Sequence, residues 1–175
     1  MELQSVYLEG AYLSDPVHSN VGFAIKAAGL AGFRSAFGAF DARLEDGVLS
    51  GSGELDSLQI REPHLKATLL SSQFFDAASH PSVTFTSSAL RVDEAGGLEL
   101  DGELTMHGET RPVTARGELA TGQDPSGGER VAFDLKAQID RREFGIDWQQ
   151  KLPNGADAVG WNVALEVQLQ LVKQD

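Results

Sequence analysis

At 175 residues, with a formal net charge of −12 and a pI of about 4.6, the chain has the length of one domain and a strongly acidic composition. Phosphate binding needs a basic surface, so this balance argues against nucleic acid as a partner and disfavours adsorption on an anionic membrane. The absence of cysteine excludes disulfides, thiolate zinc sites and cysteine nucleophiles.

Met1 to Gly10 carries no basic region followed by an apolar run, and no later stretch approaches the roughly 18 apolar residues of a membrane span. The expectation is a soluble, cytoplasmic protein without stable membrane insertion, or a periplasmic or secreted one if an export signal was removed. Alternation of apolar and polar residues predicts strands over about 5–13 and 17–27, the second carrying the inward row Val21, Phe23, Ile25, Ala27. Residues 29–40 are rich in Gly and Ala and carry Phe33, Phe37 and Phe40; too short and small-residued for an independent helix, they predict a rim element. Strands are expected next over about 37–46 and 48–59. From Glu62 to Ala78 the period of two breaks. Pro63 suits the first turn of a helix, Leu65 and Leu69 lie four apart, and Ser72 is placed to cap a second short turn. Leu65, Leu69, Leu70, Phe74 and Phe75 would give this excursion one apolar face, fit to pack across an open end.

Period-two alternation resumes over about 82–92, 97–106, 111–121, 130–141 and 160–172. Glu45-Asp46-Gly47, Glu94-Ala95-Gly96-Gly97, Met106-His107-Gly108-Glu109 and Asp124 to Gly128 sit between these runs as hairpin connections do. The pattern predicts one all-β domain over 1–175, an antiparallel up-and-down barrel of about eight strands with a short helical excursion. Its inward rows include Ala27, Gly102, Ala115, Gly117 and Ala137, where a solid core would hold branched or aromatic side chains. Two readings follow: a hollow interior, or gaps filled by a helix or by a Phe from another wall. If the interior is hollow, Gly102→Phe is expected to block it while sparing the fold.

Tyr12-x-x-Asp15-x-x-His18-Ser19-x-Val21-x-Phe23 resembles the opening motif of the YceI-like proteins. Gly38-x-Phe40, Arg61-x-x-His64-Leu65 and Phe74-Phe75-Asp76 with Pro81-x-Val83-Thr84-Phe85 follow in the family's order. Gly102-x-Leu104-Thr105-x-x-Gly108-x-Thr110-x-Pro112-Val113 and Arg141-x-x-Phe144-Gly145-Ile146 complete the set, so the resemblance runs from about Tyr12 to Val172. It implies a lipocalin-like barrel with an apolar tunnel that binds a polyisoprenoid, such as a prenylated quinone or a polyprenyl pyrophosphate, and no enzymatic activity. The chain departs from the family pattern at Ala27, where a His is common, and at Trp161-Asn162, where an acidic pair is usual.

A bound isoprenoid small molecule is therefore the expected partner, with no other cofactor; association of two copies into a homodimer is compatible with the sequence. The expected apolar lining is Phe23, Ile25, Phe85, Leu104, Phe133, Leu165 and Val167, with Phe74, Phe75 and Trp161 nearer the rim. For each of these, ordinary core packing is the competing reading, and a ligand-free, stress-associated or protein-interaction barrel is the competing function. Arg61, His64 and Lys66, with Arg141, are the candidate head-group ligands, because guanidinium groups match phosphate oxygens in pairs. Arg61 or Arg141 paired to a carboxylate is the alternative, and the acidic balance favours a neutral head group. Catalysis finds little support: the four histidines show no i, i+4 pair. Asp15, His18 and Ser19 hold triad residue types, but on a strand His18 would point away from the other two.

Overall fold

The computed structural model describes residues 2–28, 30 and 32–174. The strands are β1 (Gln4–Ser5), β2 (Ala11–Ser14), β3 (Asn20–Ala27), β4 (Gly32–Ala36), β5 (Phe40–Glu45) and β6 (Val48–Glu54). After helix α1 (Pro63–Leu70) come β7 (Ser82–Val92), β8 (Gly97–Met106), β9 (Glu109–Gln123), β10 (Glu129–Asp140) and β11 (Val159–Lys173). Every pairing between strands is antiparallel. The order β2-β5-β6-β7-β8-β9-β10-β11 returns to β2, so the sheet closes on itself as an eight-stranded barrel and leaves no long free edge.

Two of the hairpins are two-residue turns with both residues at positive φ, Asp46-Gly47 (50° and 82°) and His107-Gly108 (58° and 75°). That backbone matches the twist of paired strands, and glycine at the second position takes it without steric cost.

Three local departures from the expected pattern modify the barrel. The strand expected over about 5–13 is realised only as β1 and β2, and the one expected over about 17–27 begins at Asn20. Pro16–His18 forms a 3-10 turn, and β2 and β3 lie in succession along the same edge of β11, Leu171 opposite Ser14 and Gln168 opposite Asn20. Asp15 holds this break: its carboxylate accepts from Val17 N–H (3.0 Å), His18 Nδ1 (2.8 Å) and Arg130 Nη1 (2.9 Å). The expected separation of His18 from Asp15 is thereby corrected, because a 3-10 turn folds residue i+3 back where a strand would not. Ser19 Oγ nonetheless bonds Gln170, not His18, so no relay is assembled.

Within the Gly/Ala-rich segment 29–40, Gly32–Ala36 forms β4, a strand paired to β3 with Phe23 opposite Ser35, and Phe40 begins β5; Gly29 and Ala31 lie outside the described residues. Its free edge continues to 57–59, through Gly38 N–H to Ser57 O (2.8 Å) and Gln59 N–H to Ala36 O (2.8 Å). β6 stops at Glu54 and yields to a 3-10 turn at Leu55–Ser57, short of the expected strand end.

Helix α1 forms where Pro63 was expected to start it. Glu62 caps it, accepting from His64 N–H (3.0 Å) and Leu65 N–H (2.5 Å). The following turn is organised by Ser71 rather than Ser72: its carbonyl accepts from Phe74 N–H (3.1 Å) and Asp76 N–H (2.9 Å).

The interior is not uniform. Tyr12, Leu44, Leu49, Leu98, Phe133 and Leu171 pack into a solid floor at one end. At the other end the β3–β4 hairpin, residues 55–81 and residues 141–158 crowd the rim.

Candidate functional site

Along β11 the inward residues change character with height. Leu171 and Leu169 are buried in the floor, whereas Val167, Leu165 and Val163 keep accessible surface although they face inward. The same holds for Val21, Phe23 and Ile25 on β3 and for Val83 and Phe85 on β7. Their exposure is to an internal cavity of about 520 Å³ between floor and rim, a volume within the usual range for small-molecule sites.

Apolar side chains from almost every part of the barrel face this space. β3 gives Val21, Phe23, Ile25 and Ala27; β7 gives Val83 and Phe85; β8 gives Leu100, Leu104 and Met106; β10 gives Leu135, Ala137 and Ile139; β11 gives Val163, Leu165 and Val167. The pleat turns the intervening Lys26, Thr84 and Lys136 outward, where they are exposed. Leu65, Leu69, Phe74 and Phe75 of the helical excursion complete the wall at the rim. Phe75 and Phe33 both meet Phe23, with ring centroids 6.2 and 6.3 Å apart, so the excursion and β4 share one aromatic contact on β3.

Eight of the ten expected lining residues therefore border the cavity: Phe23, Ile25, Phe74, Phe75, Phe85, Leu104, Leu165 and Val167. Phe133 does not. It is 1% exposed and packed in the floor, because the row it belongs to crosses from void to solid core between Ala137 and Phe133. Trp161 does not either. The register of β11 on β3 jumps from Val159 opposite Ala27 to Val163 opposite Ile25, and the extra residues of this bulge take Trp161 out of the inward row. The aromatic at that height is Trp148, on an irregular segment, 5.3 Å from the Phe74 ring. No periodicity marked it, nor Phe33 or Phe37, which also line the space.

Arg141 is 2% exposed and borders the cavity. Among the described residues it has no carboxylate partner: Nε donates to Gly160 O (2.8 Å), Nη1 to Ile146 O (2.9 Å) and Nη2 to Val159 O (3.3 Å). Its guanidinium stacks 4.3 Å from the Trp161 ring centroid, with that of Arg142 at 4.6 Å. Burial pulls its pKa below the ordinary arginine value. The three carbonyls belong to the β11 bulge and to the turn after Phe144, so Arg141 fastens two rim segments together. Arg61 and His64 are exposed outside the cavity, and Lys66 Nζ donates to Asp56 O (2.7 Å). These three are not assembled with Arg141 into one pocket. Among the described residues no cluster of three His, Asp or Glu is placed to hold a metal ion.

A closed eight-stranded antiparallel barrel with an apolar interior and one helical excursion matches a known family over residues 12–171, that of the YceI-like domain. The chain belongs to the YceI-like family. A UPF0312 protein of Vibrio cholerae serotype O1 is 29% identical over 138 residues, which span 74% of this chain and 72% of that protein. Protein YceI of Escherichia coli O157:H7 is 37% identical over 87 residues, 49% of this chain and 43% of that protein. Among solved structures, Burkholderia cenocepacia BcnA superposes with a TM-score of 0.75 at 21% identity, covering 90% of this chain and 98% of that one. A polyisoprenoid binding domain from Saccharophagus degradans superposes with a TM-score of 0.70 at 14% identity, covering 93% and 98%. At these identities the two structures establish the fold. No helix among the described residues is long and apolar enough to cross a membrane.

Proposed function

We propose that this YceI-like barrel is a binding protein whose cavity holds the tail of an isoprenoid lipid, and that it is not an enzyme. The observation that carries the reading is the cavity of about 520 Å³ bounded by inward Val, Leu, Ile and Phe side chains. Such a wall offers an aliphatic guest what water cannot, roughly 0.8 kcal/mol for each methylene buried. A branched chain with no hydrogen-bonding groups fits a wall made almost wholly of apolar side chains. The polyisoprenoid-binding structure that shares the fold supports the choice of prenyl chain over another hydrocarbon.

The head group is neutral, as in a prenylated quinone. A diphosphate calls for several converging donors, whereas Arg141 spends its guanidinium on three backbone carbonyls and Arg61, His64 and Lys66 stand outside the cavity. The net charge of −12 also opposes a dianionic ligand.

Native mass spectrometry of freshly purified protein tests the reading. The expected result is a co-purifying mass that fragments as a prenyl chain. Protein mass alone, persisting after incubation with a prenylated quinone, overturns it. Affinity that hardly changes with salt supports the neutral head group, and a steep fall with salt favours a diphosphate.

A further inference from the structure

We infer that the tip of the β3–β4 hairpin is a membrane-contacting wedge that sets the mouth of the cavity against the surface of a phospholipid bilayer. The inference rests on the cavity holding a lipid, because a long prenyl chain is dissolved in a bilayer and must be collected there.

Residues 27–33 read Ala-Ala-Gly-Leu-Ala-Gly-Phe, seven positions without a charged or hydrogen-bonding side chain. Turns that face water are built from Asn, Asp, Ser and Gly, whose side chains or flexibility suit solvent. This one instead presents Leu30, 72% exposed. The tip is continuous with the cavity: Leu30 N–H donates to Ala27 O (3.0 Å), and Ala27 and Phe33 both line the interior. An exposed apolar residue hydrogen-bonded to the lining of an apolar chamber has an evident use where water ends.

Charge around the tip fits a phosphate layer. Lys26 and Arg34 flank the uncharged run on its two strands. Two carboxylates on the segments bonded to the hairpin are paired, Glu166 with Arg34 (2.7 Å) and Asp157 with Lys151 (2.6 Å). Ala28 N–H donates to Ala158 O (2.9 Å), which seats the Lys151–Asp157 segment beside the hairpin. Lys26 is exposed and makes no ion pair among the described residues, so a positive charge stands just behind the apolar tip. That arrangement lets the leucine enter the acyl boundary while the ammonium stays with the phosphates. The net charge of −12 makes the favoured surface a zwitterionic one, since an anionic bilayer would repel the body of the barrel.

The chain has no cysteine, so a single introduced thiol can be labelled uniquely. A polarity-sensitive fluorophore on Leu30→Cys should brighten and shift to the blue on adding phosphatidylcholine vesicles. The same label on Ser126→Cys, in an exposed turn at the floor end, should not respond. Leu30→Asp should lower the fraction sedimenting with these vesicles at least about tenfold, the scale set by one buried leucine. Equal responses at both labelled positions, no response at Leu30→Cys, or unchanged sedimentation of Leu30→Asp overturns the wedge. Native mass spectrometry of Leu30→Asp separates this from the reading it rests on: retained lipid leaves the cavity assignment standing whatever the vesicles show. Loss of lipid from a cavity-filling variant that still binds vesicles shows the wedge acting apart from the cavity.

Discussion

The Phe85 ring lies over Gly102 on the neighbouring strand, in the space that a side chain at position 102 would need. A Cβ there would come within 2.6 Å of the ring and of Thr86 O. Gly102 thus opens no space in the tunnel; it makes room for Phe85, whose ring is part of the cavity wall. Gly53 does the same for Phe37, whose ring atoms would stand 2.8 Å from an added Cβ. The expected blocking effect of Gly102→Phe is corrected accordingly. The substitution should lower stability by overpacking rather than plug the cavity, and even Gly102→Ala should cost roughly 1–3 kcal/mol. Urea denaturation of Gly102→Ala checks this; an unchanged midpoint would show that Phe85 can move aside freely.

Much of the barrel was legible because alternation is a direct record of a sheet with one face inward. What alternation cannot record is height. Val167 and Phe133 are both inward residues of paired strands, one inward step apart in register (Val167 opposite Leu135, Phe133 opposite Leu169), yet one borders the void and the other sits in the floor. That difference depends on how far residues 55–81 and 141–158 reach over the rim, a tertiary fact. The bulge that takes Trp161 out of the row leaves no composition signal either, and Trp148 sits on a segment with no period. β4 was hidden for another reason: its ladder to β3 is made by backbone groups, which Gly and Ala supply as well as any residue. The hollow was thus anticipated partly through the wrong residues. Ala27 and Ala137 do border the cavity, whereas Gly102 and Gly117 are covered by neighbouring atoms.

Arg141 should prove a positioning residue for the rim. Replacing it with Met removes the side-chain donor from Gly160 O and Ile146 O in a site that is 2% exposed, while Val159 O keeps Gln149 Nε2 (2.7 Å). The expected loss is on the order of 3 kcal/mol. Arg141→Lys should recover little of it, because one ammonium cannot span three carbonyls spread over the bulge and the turn. Thermal denaturation of both variants tests the point. A stable Arg141→Met that has lost only ligand would instead make the guanidinium a head-group contact.

Asp15 ties the break between β2 and β3 to β10. The Arg130 guanidinium first, and the His18 ring second, hold its carboxyl well below the ordinary 3.8. A carboxylate whose pKa is lower in the folded than in the unfolded state contributes stability that is complete above the unfolded value. That contribution is lost as pH falls from about 4 toward the folded value. Asp15→Asn should therefore be less stable than the parent at neutral pH, with the two converging as the solution is acidified below about pH 4. Urea midpoints across the acid range measure this. A difference that stays constant with pH would show that the Arg130 link adds nothing through its charge.

Ala137 offers a cleaner way to fill the cavity than any glycine. It faces the void from β10 opposite Leu165, keeps accessible surface, and is flanked by Leu135 and Ile139 on the same inward row. A tryptophan at this position would occupy volume that a ligand would otherwise take. Unlike Gly102, which is covered by the Phe85 ring, Ala137 borders the void and keeps accessible surface. Ala137→Trp should keep or raise the melting temperature, since added apolar surface is buried against existing walls. It should also abolish the co-purifying mass. Ala132→Trp, on the outer face of the same strand, should leave that mass in place, because the pleat turns its side chain away from the interior. Retention of full ligand occupancy by a folded Ala137→Trp would move the tail out of this cavity, whatever its head group.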